Sequence, residues 1–314
     1  MNIIHTNAGV IPPVPTILNE KRKLDRAGMK LLINNLIDRG VHGLFFLGTA
    51  GEFNQFDAKE REEIAEFCIE CTAGRLPVWI GTGSNTTAEA IRLTRHAAIS
   101  GASGVVVINP YYCKLSEDSL FAHYAAIAEA SELPLMLYNF PALTGQDLSP
   151  AFVRRLAASY SHVVGIKETV DQLSHIRQMI LHVKEVNPAF AVFCGFDEYL
   201  LPTLAAGGAG AIAASANFAP QLMLGLYKSY QNNNLPEVLE HHRKLIQIPP
   251  LYALDEPFIP AIKEAVRLSG LAVPAFSHSP ANPWNEEKEQ RLKQIFDKAG
   301  ISYSDQPGVY NRTK

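Results

Sequence analysis

VVGIKET, residues 163–169, is a run of two valines, a glycine and an isoleucine closed by a lysine, a glutamate and a threonine. Its first four residues read as a buried strand, yet lysine is almost never fully buried without a partner. The run has counterparts along the chain: GVIPPVPT (9–16), VHGLFFLG (41–48), PVWIGTG (77–83), GVVVINP (104–110), LPLMLYNF (133–140), AVFCGFDE (191–198) and GAIAASAN (210–217). These runs are continuously apolar instead of alternating, as strands of a parallel sheet buried on both faces must be. Helical patterns separate them, the first near 25–39, 58–72 and 86–100. Strand then helix, repeated eight times, predicts an α/β protein with a closed (β/α)8 TIM barrel. An open doubly wound sheet is the competing arrangement. Against it, GTGSNT (81–86) lacks the third glycine of a dinucleotide loop and no obvious ribose-binding acid follows about 20 residues on.

The eighth unit ends near 231, at the turn-like QNNN. The chain is therefore expected to divide into a barrel catalytic domain over 1–231 and a helical C-terminal extension over 232–314. Helical patterns near 236–249, 256–269 and 286–299 are separated by Pro249-Pro250 and by VPAFSHSPANP. The segment LDEPFIPAIKEAV could pack on the barrel or on a second subunit.

With 314 residues, 47% hydrophobic and 19% charged, and a formal net charge of −3, the composition is that of a soluble globular protein. No basic stripe offers phosphate neutralisation, so nucleic acid is not an expected partner. The N-terminal MNIIHTNAGV has neither a positive n-region nor an apolar h-region, which points to the cytoplasm. Tyr199 to Tyr227 carries no charge and is long enough to raise the question of a membrane span. Pro202, Pro220, Asn217, Gln221 and four glycines interrupt it, so it reads as helix, strand and turn, with no membrane partner. The pair CIEC (68–71) lies inside a helical pattern with no second CxxC or HxxxH after it, and is read as reduced thiols with no metal site.

In such a barrel the C-terminal ends of the strands face the mouth where chemistry occurs. Those ends carry GTAGEF (48–53), NPYY (109–112), YNFPALTG (138–145), KET (167–169) and GFDE (195–198). Lys167, held in an apolar interior, would have its ammonium form disfavoured, freeing the amine to attack a ketone and form a Schiff base. The alternative is a lysine that snorkels to the rim or pairs with Glu168, although alternation sends Glu168 to the opposite face. Tyr138 ends the neighbouring strand, where a phenol could relay a proton; it could also be a packed tyrosine with its hydroxyl tied to backbone. In GTAGE, Thr49 and small residues such as Gly48 and Ala50 could bring backbone N–H groups to a carboxylate, or simply form a tight turn.

Together, GTAGE, NPYY, YNFPALTG, GIKET and GFDE resemble the dihydrodipicolinate synthase / N-acetylneuraminate lyase family, Schiff-base aldolases on a (β/α)8 barrel with a C-terminal helical part. The resemblance runs from about Gly9 to the last helices and rests on five ordered motifs. It implies that Lys167 is the Schiff-base lysine, Tyr138 the proton-relay tyrosine, and Thr49 with the Ala50 amide the carboxylate site of a 2-keto acid. Tyr112 is similar to the family tyrosine that reaches into a neighbouring subunit's site, which implies a homo-oligomer, a tetramer of paired dimers. Two positions depart from the synthase. Ala50 stands where the GTTGE form has the second threonine of the relay. Leu143 stands where an arginine grips the amino-aldehyde's carboxylate, a bidentate contact leucine cannot make. Lysine biosynthesis is therefore the less favoured role. On the acceptor side Gly195, Asp197 and Glu198 of GFDE resemble the sugar-hydroxyl site of the lyases, since carboxylates accept hydrogen bonds from several hydroxyls; acids placed for a helix dipole are the alternative. Thr169 is placed to touch the same sugar chain.

Within the family, IPPVPT, FFLGTAGEF, VVINPYY and LYNFPALTGQDL are most similar to the bacterial 2-keto-3-deoxygluconate aldolase group. The resemblance implies cleavage of a 2-keto-3-deoxy sugar acid to pyruvate and an aldehyde such as glyceraldehyde, with no metal or organic cofactor. Neuraminate cleavage, dehydration of a keto-deoxy sugar acid and the lysine-pathway condensation are alternatives on the same scaffold. A non-catalytic keto-acid sensor is the alternative of another class.

Overall fold

A computed structural model describes residues 8–304. Most of MNIIHTNAGV and the last ten residues of the 232–314 segment lie outside the described residues. Eight strands appear where the apolar runs predict them: β1 (Gly9–Val10), β2 (Leu44–Phe46), β3 (Val78–Gly81), β4 (Gly104–Ile108), β5 (Leu135–Asn139), β6 (Val163–Glu168), β7 (Ala191–Cys194) and β8 (Gly210–Ala211). They form one sheet in the order β1-β8-β7-β6-β5-β4-β3-β2, with every pairing parallel. The two ends of that order also meet. Pro13 bridges Phe45 in parallel, Val14 N–H donates to Phe45 O at 2.8 Å and Phe45 N–H donates to Pro12 O at 3.1 Å. β1 is shorter than the GVIPPVPT run because Pro12, Pro13 and Pro15 have no N–H to give a ladder.

Five of the intervening helices start where their sequences supply a side-chain cap. The side chain of Asp25 accepts from Gly28 N–H ahead of α1 (Arg26–Asp38), and Asp57 with Glu60 forms a capping box ahead of α2 (Ala58–Thr72). Thr86, Ser116 and Ser149 do the same for α3 (Thr87–Ile99), α4 (Glu117–Glu129) and α6 (Pro150–Ser159). A single turn, α5 (Pro141–Thr144), precedes α6, and α7 (Leu173–Lys184) follows β6. Cys68 and Cys71 lie on α2 as free thiols, Cys68 fully buried. The charge-free stretch breaks into α8 (Leu200–Ala205), β8, a 3-10 turn (Ala214–Asn217) and α9 (Pro220–Gln231). Among the described residues no helix is long and apolar enough to cross a membrane.

Three helices follow α9: α10 (Leu235–Leu245), α11 (Ile259–Leu268) and α12 (Glu286–Ala299). α11 buries Ile259, Ile262, Val266 and Leu268 within this chain, so LDEPFIPAIKEAV packs on its own barrel. Phe296 of α12 stacks on Phe218 with centroids 5.7 Å apart. A 3-10 turn, Pro249–Ala253, carries Tyr252 back over the barrel mouth.

Candidate active site

The register between β5 and β6 pairs Tyr138 with Lys167 and Asn139 with Glu168. Because strand side chains alternate, Lys167 and Tyr138 point into the barrel while Asn139 and Glu168 point out toward the helices. The two inward groups open on a cavity of about 190 Å³, also lined by Thr49, Ala50, Thr169 and Gly195. Lys167 is only 4% exposed. Its Nζ lies 4.2 Å from the Tyr138 ring centroid and 5.3 Å from that of Phe45. Among the described residues no carboxylate lies within ion-pairing distance of it. Tyr138 is buried, and its hydroxyl is 3.1 Å from Thr49 Oγ1. The packed-tyrosine alternative is thus half right: the hydroxyl is tied, but to a cavity threonine.

Glu168 does not pair with the lysine. Fully buried, its Oε2 lies 3.2 Å from His175 Nδ1 and accepts from Asn139 Nδ2 at 3.3 Å. His175 Nε2 is 3.1 Å from Asp147. Bonds to Asp147 and then Glu168 outweigh burial and raise the imidazole to about 10, so it stands as a cation between two carboxylates. Burial pushes the Glu168 carboxyl up.

The GTAGE turn is tightly wound. Gly51 N–H donates to Gly48 O at 3.0 Å and Glu52 N–H to Thr49 O at 3.0 Å. Among the described residues the N–H groups of Thr49 and Ala50, which line the cavity, have no acceptor. Two adjacent uncommitted donors are what an incoming carboxylate requires. Gly48 does not line the cavity; its hydrogen there avoids the Phe45 ring, which an added Cβ would meet at 2.6 Å. Gly195 also has a steric reason, since a Cβ on it would sit 2.0 Å from Thr169 Oγ1. That hydroxyl is buried and without a partner.

Two residues predicted for the acceptor side, Asp197 and Glu198, do not line the cavity. Asp197 is buried behind the wall: Oδ1 accepts from Ser215 N–H at 3.1 Å and Oδ2 accepts a short hydrogen bond from Tyr252. Its oxygens are occupied in holding the loop after β8 and the ring of Tyr252, and burial raises its carboxyl. Glu198, half-buried, does not line the cavity either. Tyr112 is 96% exposed, on a left-handed backbone with φ 79°, and is not brought into this chain's cavity. Conversely, Phe140, Phe196, Ile212, Tyr252 and Phe258 also line the cavity; none of the five is singled out by the sequence, and Tyr252 and Phe258 lie furthest from any strand end. They come from the C-terminal segment, where an aromatic beside Pro249-Pro250 and another ahead of α11 are the available signals.

Fold and cavity define a barrel enzyme built around a buried amine. The chain matches the dihydrodipicolinate synthetase family over residues 6–299; it belongs to that family and is a carbon–carbon lyase. It is 48% identical to a putative 2-dehydro-3-deoxy-D-gluconate aldolase, YagE, of Escherichia coli K12, over 92% of this chain and 95% of that one. It is 44% identical to a probable 2-dehydro-3-deoxy-D-pentonate aldolase, YjhH, of the same organism, over 94% and 98%. The crystal structure of YagE in complex with pyruvate superposes with a TM-score of 0.93 at 47% identity, covering 94% of this chain and 99% of that one.

Proposed function

We propose that this enzyme is a Schiff-base aldolase that cleaves a 2-keto-3-deoxy sugar acid, such as 2-keto-3-deoxygluconate, to pyruvate and an aldehyde. The observation that carries the reading is the Lys167 amine, enclosed against Tyr138 with no counter-ion among the described residues, and the contact of the Tyr138 hydroxyl with Thr49. The relatives' names support the substrate class, and the pyruvate complex of YagE supports the keto-acid end.

In this reading the substrate carboxylate takes the N–H groups of Thr49 and Ala50. The Lys167 amine adds to the C2 carbonyl, and Tyr138 gives its phenolic proton to the departing oxygen, so that water leaves and an iminium and a phenolate remain. Tyr138 accepts the proton of the C4 hydroxyl, with Thr49 Oγ1 as its hydrogen-bond partner, as the C3–C4 electrons move into the iminium. The aldehyde departs and an enamine of pyruvate stays on the lysine. Proton return to C3 and hydrolysis of the iminium release pyruvate and restore the amine. Positioned proton transfer of this kind is worth about 10²–10⁴-fold. The lysine is itself the electron sink, so the reading calls for no separate cofactor. Thr169, whose hydroxyl is buried without a partner, also lines the cavity and would meet the acceptor part of the substrate. The same reading makes the protein a cytoplasmic homotetramer in which the exposed Tyr112 serves a neighbouring subunit's site, with the barrel over 1–231 as the catalytic domain.

Borohydride reduction in the presence of pyruvate tests the chemistry: intact mass should rise by one reduced pyruvate at Lys167, and Lys167→Ala should show no adduct and no turnover. Aldol cleavage by that variant would refute the assignment. Pyruvate release from 2-keto-3-deoxygluconate, its five-carbon analogue and sialic acid, measured side by side, tests the substrate; a strong preference for sialic acid overturns it.

A further inference from the structure

Glu52, the last residue of the GTAGE turn, and Lys263 of α11 form an ion pair that neither the fold nor the proposed chemistry accounts for. Both side chains are almost wholly excluded from solvent. One carboxylate oxygen of Glu52 is bonded to Lys263 Nζ and the other accepts from His278 N–H at 2.8 Å. Lys263 Nζ also donates to Phe276 O at 2.7 Å. Three segments thus meet at one buried contact: the turn that carries Thr49, helix α11, and the stretch from Phe276 to His278. A pair taken this far from water is at best a weak source of stability, because desolvation offsets its attraction. Its position suggests a different use.

The backbone of Glu52 sits in the left-handed region at φ 57°, ψ 32°, which costs a non-glycine residue about 1–2 kcal/mol and persists only when its surroundings hold it. The Glu52 side chain is what holds it, together with Thr16 Oγ1, which donates to Gly51 O at 2.7 Å. Glu52 N–H in turn bonds Thr49 O, so the clamp is one hydrogen bond removed from the residue that meets Tyr138. The cationic groups near the pair are Lys263 and Arg22, with the His278 ring beside them; burial brings Lys263 down to about 8.

We propose that Glu52 and Lys263 are a positioning pair through which α11 fixes the Thr49–Ala50 turn in the shape that receives the substrate carboxylate. The inference rests on the keto-acid reading of that turn. Neither residue touches substrate, so the consequence falls on carboxylate affinity more than on the covalent step.

The test is the pyruvate concentration giving half-maximal borohydride trapping, read by intact mass, in wild type, Glu52→Gln, Lys263→Met and the double variant, with melting curves on the same samples. Glu52→Gln keeps the size of the side chain and an oxygen for His278 N–H. We expect each single variant to raise the half-trapping concentration about tenfold, as a displaced binding turn does, while saturating pyruvate still gives full labelling. The double variant, which leaves no charge unpaired, should recover part of the loss. Trapping by Glu52→Gln at the wild-type concentration, whatever its melting point, overturns the proposal. Should Glu52→Gln fold too poorly to assay, Thr16→Val, which loosens the same turn without stranding a charge, decides instead, and an unshifted concentration there also overturns it. Failure of the wild type to trap pyruvate sinks the aldolase reading itself, a result distinct from trapping that the variants leave unchanged.

Discussion

Gly195→Ala is a one-carbon change at the cavity rim whose effect follows from distances. The new Cβ would meet the Thr169 side chain at 2.0 Å from Oγ1 and 2.8 Å from Cβ, and its backbone at 3.0 Å. Rotating χ1 of Thr169 moves only the hydroxyl and the methyl, so the overlap with the rest of the residue persists. Neither backbone is free to give way, since Gly195 N–H donates to Glu168 O at 2.7 Å and Thr169 N–H donates to Asn139 O at 2.9 Å. Overpacking of this kind costs about 1–3 kcal/mol, or about 2–4 °C in melting temperature for each kcal/mol. The larger effect should be on rate. Thr169 lies two residues beyond Lys167, on the same face, so pushing it outward tilts the end of β6 that aims the amine. A displacement approaching 1 Å at a reacting group costs on the order of 10²-fold, and kcat/KM for pyruvate release from 2-keto-3-deoxygluconate should drop about 10–100-fold. Adding Thr169→Gly removes the clashing side chain and should restore part of the melting temperature. A Gly195→Ala enzyme with wild-type melting and wild-type kcat/KM would show that the rim yields freely and that the steric argument is wrong.

Thr49→Val removes the hydroxyl bonded to Tyr138 and should lower kcat about 10²-fold, with trapping of pyruvate at saturation retained; unchanged kcat would remove Thr49 from the relay. His175 stands at about 10, raised above its ordinary 6.5 by Asp147 and then Glu168. Its folded pKa is the higher one, so the stabilisation is whole below pH 6.5 and is lost as pH rises through about 10. Wild type should therefore lose melting temperature relative to His175→Gln across that window, and parallel curves would contradict the assignment. Tyr252→Phe leaves the buried Oδ2 of Asp197 without its donor and should destabilise by about 1–3 kcal/mol, while raising KM for the sugar acid more than for pyruvate. An unaltered denaturation midpoint would mean that water replaces the phenol.

The strands are legible in the sequence because burial on both faces leaves an unbroken apolar run, and the helices because amphipathic patterns fill the gaps between those runs. Lys167 is legible for the opposite reason: it breaks such a run at the end that faces the mouth. Asp197 misleads because a carboxylate after β7 can turn into the cavity or behind it, and the choice lies with a tyrosine 55 residues further on. Tyr112 takes its direction from a left-handed backbone, a conformation its aromatic side chain gives no reason to expect. Lys263 does leave a trace. In IPAIKEAV it occupies a position on the apolar stripe Ile259, Ile262, Val266, and a charge there calls for a buried partner.

The two ends of the cavity are built by different parts of the chain, and this separates what they decide. Lys167, Tyr138, Thr49 and the Thr49–Ala50 amides come from the ends of β2, β5 and β6, a region whose geometry is fixed by strand register and by the turn that Glu52 anchors. Much of the remaining lining comes from the loops after β7 and β8 and from Tyr252 and Phe258, which no strand positions. Tyr252 reaches the wall through Asp197, and Asp197 is fixed in turn by Ser215 beyond β8. Substitutions along this second chain of contacts can therefore reshape that part of the cavity without moving the amine. On the proposed reading, the choice of sugar acid then rests with residues 196–199, 212–215 and 252–258, and exchanging those segments should change substrate preference while pyruvate trapping at Lys167 persists.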